Sequence, residues 1–242
     1  MRYIYLSPHL DDAVLSAGGV IYEQTQSGNQ VEIWTIMCGF PPENETSPLA
    51  QKLHAEWGFS SAKETVEKRR AENLAAAAIV GAKAVQFNFL DCIYRRGKNG
   101  DWLYADNIFD PPHPEEADLP AEIAKVITPR IQSDDVLVCQ LTVGNHVDHV
   151  TVRKAAELLG RPLIYDADIP YLLNHPDELG PKTIGMREKA YSVSEAGLQS
   201  WLEAIAAYQS QIAVLFESPE LMREKILAYW SEHRGIQFWE FE

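Results

Sequence analysis

The chain has 242 residues, 46% hydrophobic and 23% charged, enough to close a substantial core and suited in length to one α/β domain over residues 1–242. Its 21 Lys and Arg face 35 Asp and Glu for a formal net charge of −14, with no basic cluster, which argues against nucleic acid or an anionic membrane as partner. Cys38, Cys92 and Cys139 are too few and too scattered for a disulfide framework, and no stretch approaches the ~18 apolar residues of a membrane span or forms a signal-like N-terminus, so the expected setting is reducing and cytoplasmic.

Arg2 to Leu6 reads as a short strand bounded by Ser7 and Pro8, and Ala13 to Glu23 places apolar residues at helical spacing. After the Gly28-Asn29 turn, Val31 to Met37 is a second strand, giving one parallel βαβ unit. Gly39 to Ser60 holds Pro41, Pro42, Pro48 and Gly58 and reads as a long functional loop. Ala62 to Val80 is a helix stopped by Gly81, Val85 to Leu90 a third strand, and Cys92 to Asp118 a second long loop.

Leu119 to Ile131 returns to helix, Asp135 to Leu141 to strand, His149 to Leu159 to helix and Pro162 to Tyr165 to strand, followed by an irregular Pro- and Asp-rich segment over Ala167 to Gly180. Glu195 to Gln211 and Pro219 to His233 have helical spacing, and Ile236 to Phe241 alternates as a closing strand. This alternation predicts a Rossmann-like, three-layer α/β/α fold around a mostly parallel sheet, with function at the carboxyl ends of its strands.

Two polar segments follow predicted strands. Ser7-Pro8-His9-Leu10-Asp11-Asp12 leaves the first, and His146-Val147-Asp148-His149 lies beyond the strand ending at Leu141. Together they offer three imidazoles and three carboxylates, the donors that zinc and related divalent ions prefer. A hydrolytic zinc site needs three protein ligands and an open position for water. Adjacent Asp11 and Asp12 diverge in an extended turn, so one can bind metal while the other, for which Asp11 is the candidate, acts as general base. In the second segment one histidine can bind metal while the other, if protonated, stabilises an oxyanion, with Asp148 placed to orient one of them. Capping is the plainer alternative for each: an aspartate between a strand and a helix is the usual N-cap, and Asp148 suits the positive end of a helix dipole.

The residues resemble the PIG-L, or LmbE-like, family of zinc-dependent deacetylases of N-acetylglucosamine-containing substrates. The resemblance covers most of the chain and rests on SPHLDDAVLSAGG, RRAENLAAAAIVGA from Arg69, FLD at Phe89 to Asp91, HVDHVTVRKAA from His146, and AAYQSQI near the C-terminus. It implies zinc on His9, Asp12 and His149, with Asp11 as general base. It further implies His146 as the oxyanion's partner, Asp148 orienting His146, and Arg69 and Asp91 contacting substrate. An Arg69-Glu72 helix pair and a turn-capping Asp91 are the structural alternatives. The implied substrate is a small amino-sugar conjugate, and Fe²⁺, cobalt or nickel also suit the donor set; a homo-oligomer is left open. Two departures stand out: the family's Pro-His-Pro-Asp-Asp-Glu is here Pro-His-Leu-Asp-Asp-Ala, and its His-Pro-Asp-His is His-Val-Asp-His. Leu10 and Val147 remove turn-stiffening prolines, and Ala13 removes a carboxylate beside the site.

The rival readings are a metal-binding member without catalysis, hinted at by Ala13, a metal-dependent phosphoesterase, and a nucleotide-binding protein suggested by Gly18-Gly19 in the first helix. The last lacks any G-x-G-x-x-G or G-K-[ST] element. Trp57 and Trp102 in the long loops are candidates to stack on a sugar. Tyr208 to Gln211 falls on a predicted helix as rim or support, and His54, His113, His175 and His233 are expected to be exposed.

Overall fold

In the computed structural model, which describes residues 1–42 and 46–241, apolar runs and helices alternate as β1 (Arg2–Ser7), α1 (Asp12–Gln26), β2 (Gln30–Met37), α2 (Pro48–Glu56), α3 (Ala62–Ile79) and β3 (Lys83–Phe89). There follow α4 (Leu119–Ile127), β4 (Val136–Gln140), α5 (Val147–Glu157), β5 (Leu163–Asp166) and the one-turn helices α6 (Tyr171–Asn174) and α7 (Leu179–Lys182). The chain closes with β6 (Met186–Ser192), α8 (Glu195–Ala206), α9 (Gln209–Phe216), α10 (Pro219–His233) and β7 (Gly235–Phe241). Among the described residues no helix is long and apolar enough to cross a membrane.

The seven strands form one sheet in the order β3-β2-β1-β4-β5-β7-β6. The first five pair in parallel, with Tyr3 opposite both Val31 and Val136, while β7 runs antiparallel to β5 and β6. From β1 the chain winds outward to β2 and β3, then crosses back to β4 and winds the other way. The carboxyl ends of β1 and β4 are therefore the topological switch point, where an open α/β sheet leaves a crevice. Right-handed crossovers put α1 and α3 on one face, where α8 packs on both, and α4 with α5 on the other.

Most of the core is one apolar cluster against the sheet, including Ile4, Val14, Ile33, Val138 and Trp201. A second cluster of Ala50, Val66, Cys92, Ile93, Tyr94, Tyr104 and Val147 lies under the two long connecting segments. Those segments thus have a core of their own. All three cysteines are free and buried, in agreement with their reading as small apolar side chains.

Four expectations need correction. Of the expected loop over Gly39 to Ser60, residues 43–45 lie outside the described residues, and 48–56 form α2. Pro48 was read as a breaker, but it sits in the first turn of the helix, where its missing N–H costs nothing, while Ser47 Oγ accepts a hydrogen bond from Ala50 N at 2.9 Å. The helix expected over Glu195 to Gln211 breaks at Ala207 and Tyr208 into α8 and α9, where Ser210 donates from both N and Oγ to the Glu72 carboxylate at 2.9 and 2.6 Å. β6 was not anticipated: it is an edge strand whose charged, largely exposed sequence carries no apolar alternation. His54, expected to be exposed, is buried in α2 with Nε2 at 2.6 Å from the Tyr94 hydroxyl.

Gly18 and Gly19 are explained by packing, not by a phosphate. A Cβ on Gly18 would lie 2.5 Å from Trp201 Cδ1 and one on Gly19 2.8 Å from Val193 Cγ1. Trp201 cannot retreat freely, because its fully buried indole donates to Val14 O at 2.8 Å. Gly18→Ala gains about 1 kcal/mol of helix propensity, but overpacking of a well-packed core costs about 1–3 kcal/mol. The expected outcome is a net loss of roughly 1 kcal/mol, read as a lower urea midpoint at unchanged m-value.

Candidate active site

Each polar segment is fixed by its backbone before its side chains are considered. Ser7 Oγ donates to His9 O at 2.6 Å and accepts from Ala13 N at 3.1 Å, Met37 N donates to Pro8 O at 2.9 Å, and Asn73 Nδ2 donates to Leu10 O at 2.7 Å. Three successive carbonyls of the turn are thus held without a second proline. Leu10 and Val147, at the substituted positions, are buried. Ala13 belongs to the main apolar core and does not line the cavity described below.

His9, Asp12 and His149 converge. Asp12 Oδ2 lies 3.2 Å from His9 Nδ1 and 3.4 Å from His149 Nε2. Tetrahedral ligands with metal bonds of about 2.0–2.1 Å stand about 3.3 Å apart, so both distances from Asp12 suit ligands of one ion. His149 Nε2 is buried without a hydrogen-bond partner, whereas buried polar atoms are ordinarily satisfied. The outer nitrogens of both rings meet carboxylates: His9 Nε2 with Asp148 Oδ2 at 3.1 Å and His149 Nδ1 with Asp168 Oδ1 at 2.9 Å. Such outer carboxylates fix the tautomer and turn the remaining nitrogen toward a metal.

Electrostatics follow from this double clamping. Burial lowers the pKa of His9, but Asp12 and Asp148 outweigh it and hold the ring well above the usual histidine range. His149, opposed by burial in the same way, is raised to about 9 by Asp12 and Asp168. Burial works against the charge on Asp12, yet His149 and His9 draw its pKa well below the usual carboxylate range. Protons on the two imidazoles balance the buried carboxylates, and a divalent cation would take their place. By donor type, spacing and charge, the residues fit such an ion.

His146 occupies the N-cap position of α5, where its Nδ1 accepts from the Asp148 backbone N–H at 3.2 Å. In the neutral ring the proton is thereby assigned to Nε2. Burial, reinforced by His9 and His149, pushes its pKa well below the usual range. Burial and the two neighbouring imidazoles thus disfavour the protonated form of His146 considered from the sequence. The Asp148 carboxylate also departs from expectation. It does not orient His146 but bonds to His9, to Cys92 N at 2.9 Å and to Arg95 Nη1 at 2.5 Å.

Asp11 occupies the N-cap position of α1 but makes no capping bond with its side chain. It accepts from Arg69 Nη2 at 3.2 Å. Burial raises its pKa, and Arg69 opposes the rise without cancelling it. Arg69 is itself buried, stacks over Trp57 at 4.7 Å and has an unpartnered buried Nε. Glu72, its expected helix partner, accepts from Ser210 instead. Asp91 caps a short turn, its Oδ1 accepting from Ile93 N at 3.2 Å, and it lines the cavity.

That cavity is about 240 Å³ in volume and brings together His9, Asp11, Asp12, His146, Arg69 and Asp91. Trp57 and Gln211 also line it, whereas Trp102 lies under the Arg96 guanidinium at 3.8 Å and is not among its lining residues. Sequence reasoning missed Asp168, Arg95, Phe109 and Tyr171. Asp168 lay within the irregular Asp- and Pro-rich segment, where only its residue type could have marked it. It adopts a left-handed backbone (φ 54°) and also accepts from Val143 N at 3.1 Å.

Comparison with known proteins agrees with this geometry. The family model PIG-L, described as GlcNAc-PI de-N-acetylase, matches residues 4–159. The 2'-N-acetylparomamine deacetylase of Niallia circulans is 23% identical over 236 residues, covering 88% of this chain and 82% of that protein. The zinc-inhibited form of teicoplanin deacetylase has a TM-score of 0.82 at 26% identity, covering 99% of this chain and 97% of that one. The A40926 pseudoaglycone deacetylase has a TM-score of 0.76 at 28% identity, covering 99% and 96%. These relatives are deacetylases, amide hydrolases acting on N-acetyl groups, and by the match over residues 4–159 the chain belongs with them to the PIG-L family.

Proposed function

We propose that the chain is a zinc-dependent hydrolase that removes the acetyl group from an N-acetylglucosamine-type sugar conjugate, releasing acetate and a free amine. The observation that carries this reading is the approach of His9 Nδ1 and the otherwise unpartnered His149 Nε2 to Asp12 Oδ2, beside a cavity lined by His9, Asp11, Asp12 and His146. Two histidines and one aspartate also suit Fe²⁺. A divalent ion held there supplies Lewis-acid polarisation of the acetamide carbonyl and lowers the pKa of water.

The remaining steps belong to the chain's own side chains. Asp11, with its proton affinity raised by burial and one oxygen held by Arg69, takes the proton of the attacking water and returns it to the departing amine. His146, kept neutral with its proton on Nε2, donates a hydrogen bond to the oxyanion of the tetrahedral intermediate. A neutral donor needs no proton from solvent at the moment of reaction. Arg69 and Asp91 face the cavity with polar groups able to engage sugar hydroxyls. The names of the relatives, a 2'-N-acetylparomamine deacetylase and a teicoplanin deacetylase, support an amino-sugar conjugate as the substrate class.

The direct test is acetate release from N-acetylglucosamine conjugates. Asp11→Asn is expected to lower kcat by roughly 10²–10⁴-fold, the range of general acid-base catalysis, and His149→Ala to abolish both metal retention and turnover. Unchanged turnover in both variants would overturn the reading.

The outer carboxylates generate a separate expectation. Asp148→Asn and Asp168→Asn should each weaken Zn²⁺ affinity by about 10–100-fold, measured by competition with a chromophoric chelator.

Linkage supplies the pH dependence. In the metal-free protein His149 carries a proton below about 9 and a metal ligand must be deprotonated, so apparent metal affinity rises with pH up to about 9 and binding releases protons. Calorimetry of Zn²⁺ binding in buffers of different ionisation enthalpy should show that release at pH 7. Its absence would contradict the assigned ligand set.

A further inference from the structure

The cavity is lined by two chemically unlike sets of residues. Beside the acids, imidazoles and Arg69, it is lined by Leu53 and Trp57 from the α2 segment, Ile108 and Phe109 from the connection before α4, and Val214 and Leu215 from α9. Three elements far apart in sequence thus contribute apolar side chains to the same site. Phe109 and Val214 are 47% and 43% exposed, although both are large apolar groups that a bound ligand could cover.

These residues are held in place. The Ile108 carbonyl accepts from Val147 N at 2.8 Å, which ties this part of the connection to the helix carrying His149. The Phe109 ring meets His146 and Tyr171 edge-on at 5.8 and 6.1 Å. Trp57 lies under the Arg69 guanidinium at 4.7 Å and against the His54 ring at 6.2 Å. Ordered apolar surface continuous with a catalytic cavity is the usual form of a specificity subsite.

Its chemistry selects the ligand. Of the six side chains only the Trp57 indole carries a polar hydrogen, so hydroxyl groups covered by this surface would lose water without gaining partners, at a cost in affinity. A second sugar is therefore a poor fit. The acetamide must reach the acids and imidazoles, so the reacting amino sugar sits at that side of the cavity and whatever is attached lies along the apolar residues.

We propose that the substrate carries an apolar aglycone, alkyl or aryl, on its N-acetylated sugar, and that these six residues bind it. The proposal rests on the deacetylase reading above. The test measures acetate release from three N-acetylglucosaminides of equal anomeric configuration, bearing a methyl, a hexyl or a glucosyl aglycone. The hexyl glycoside should exceed the methyl glycoside by about 10-fold in kcat/KM, mostly through KM, because aglycone binding is shared by ground and transition states. The glucosyl compound should do no better than methyl.

In the Leu53→Ser and Val214→Ser variants the hexyl-to-methyl ratio should fall to about 3 or below. In Val126→Ser, which alters an equally exposed apolar residue on α4 (44% exposed), it should stay unchanged. The ratio is internal to each variant and so is insensitive to partial loss of folded protein. Equal use of hexyl and methyl substrates, preference for the glucosyl compound, or a ratio that persists in both subsite variants would overturn the aglycone proposal alone. No acetate from any of the three would overturn the deacetylase reading, and this proposal with it.

Discussion

Two imidazoles, each held between Asp12 and an outer carboxylate, set the terms for the rest of the molecule. Neither His9 nor His149 could be buried with its neighbours' negative charge unless something positive lay between them, and burial makes that requirement strict because uncompensated charge in a protein interior is costly. In the metal-free protein the positive charge is carried by protons on the rings. A divalent ion in their place would meet the same requirement. Catalytic potential and the cost of burying acids are here one electrostatic problem with one solution.

The sheet makes that solution possible. Because winding reverses between β1 and β4, turns more than 130 residues apart in sequence open into one crevice, and Asp148 reaches His9 across it. Asp168 enters from beyond the next strand, β5, so three neighbouring strand ends supply His9, Asp12 and His149 and the carboxylates that hold them. Loops placed by a rigid scaffold are where such constellations ordinarily form. The apolar lining has a different origin, arising from connecting segments with their own small core, which separates the placement of the reacting groups from the shaping of the surface around them.

Much of this was legible in the sequence, because the signals are local. Strand, polar turn and apolar-periodic helix could be read over Arg2 to Glu23, and the two polar motifs could be assigned to strand ends. Partner choice was not local. Nothing in His146-Val147-Asp148-His149 says that the Asp148 carboxylate will turn from its neighbour His146 to His9, a decision made by Arg95 and Cys92 N from another segment. Pro48 reads equally as a breaker and as the first residue of a helix, and only the packing of Ala50 against the second core distinguishes the two. β6 is mostly solvent-exposed and so lacks the alternation that marks a strand.

The bond from Arg95 to Asp148 joins parts of the molecule that would otherwise vary independently. Arg95 also contacts Glu116 at 2.6 Å and lies over the Tyr104 ring at 5.2 Å, so the connection bearing Phe109 is anchored at several points to the carboxylate that orients His9. Drift in that connection is constrained by the placement of His9. Descendants of this protein can exchange the side chains that meet an aglycone one at a time, but lengthening or deleting the connection would disturb the histidine itself. Diversification should therefore proceed by substitution here, with insertions and deletions confined to segments that do not reach Asp148.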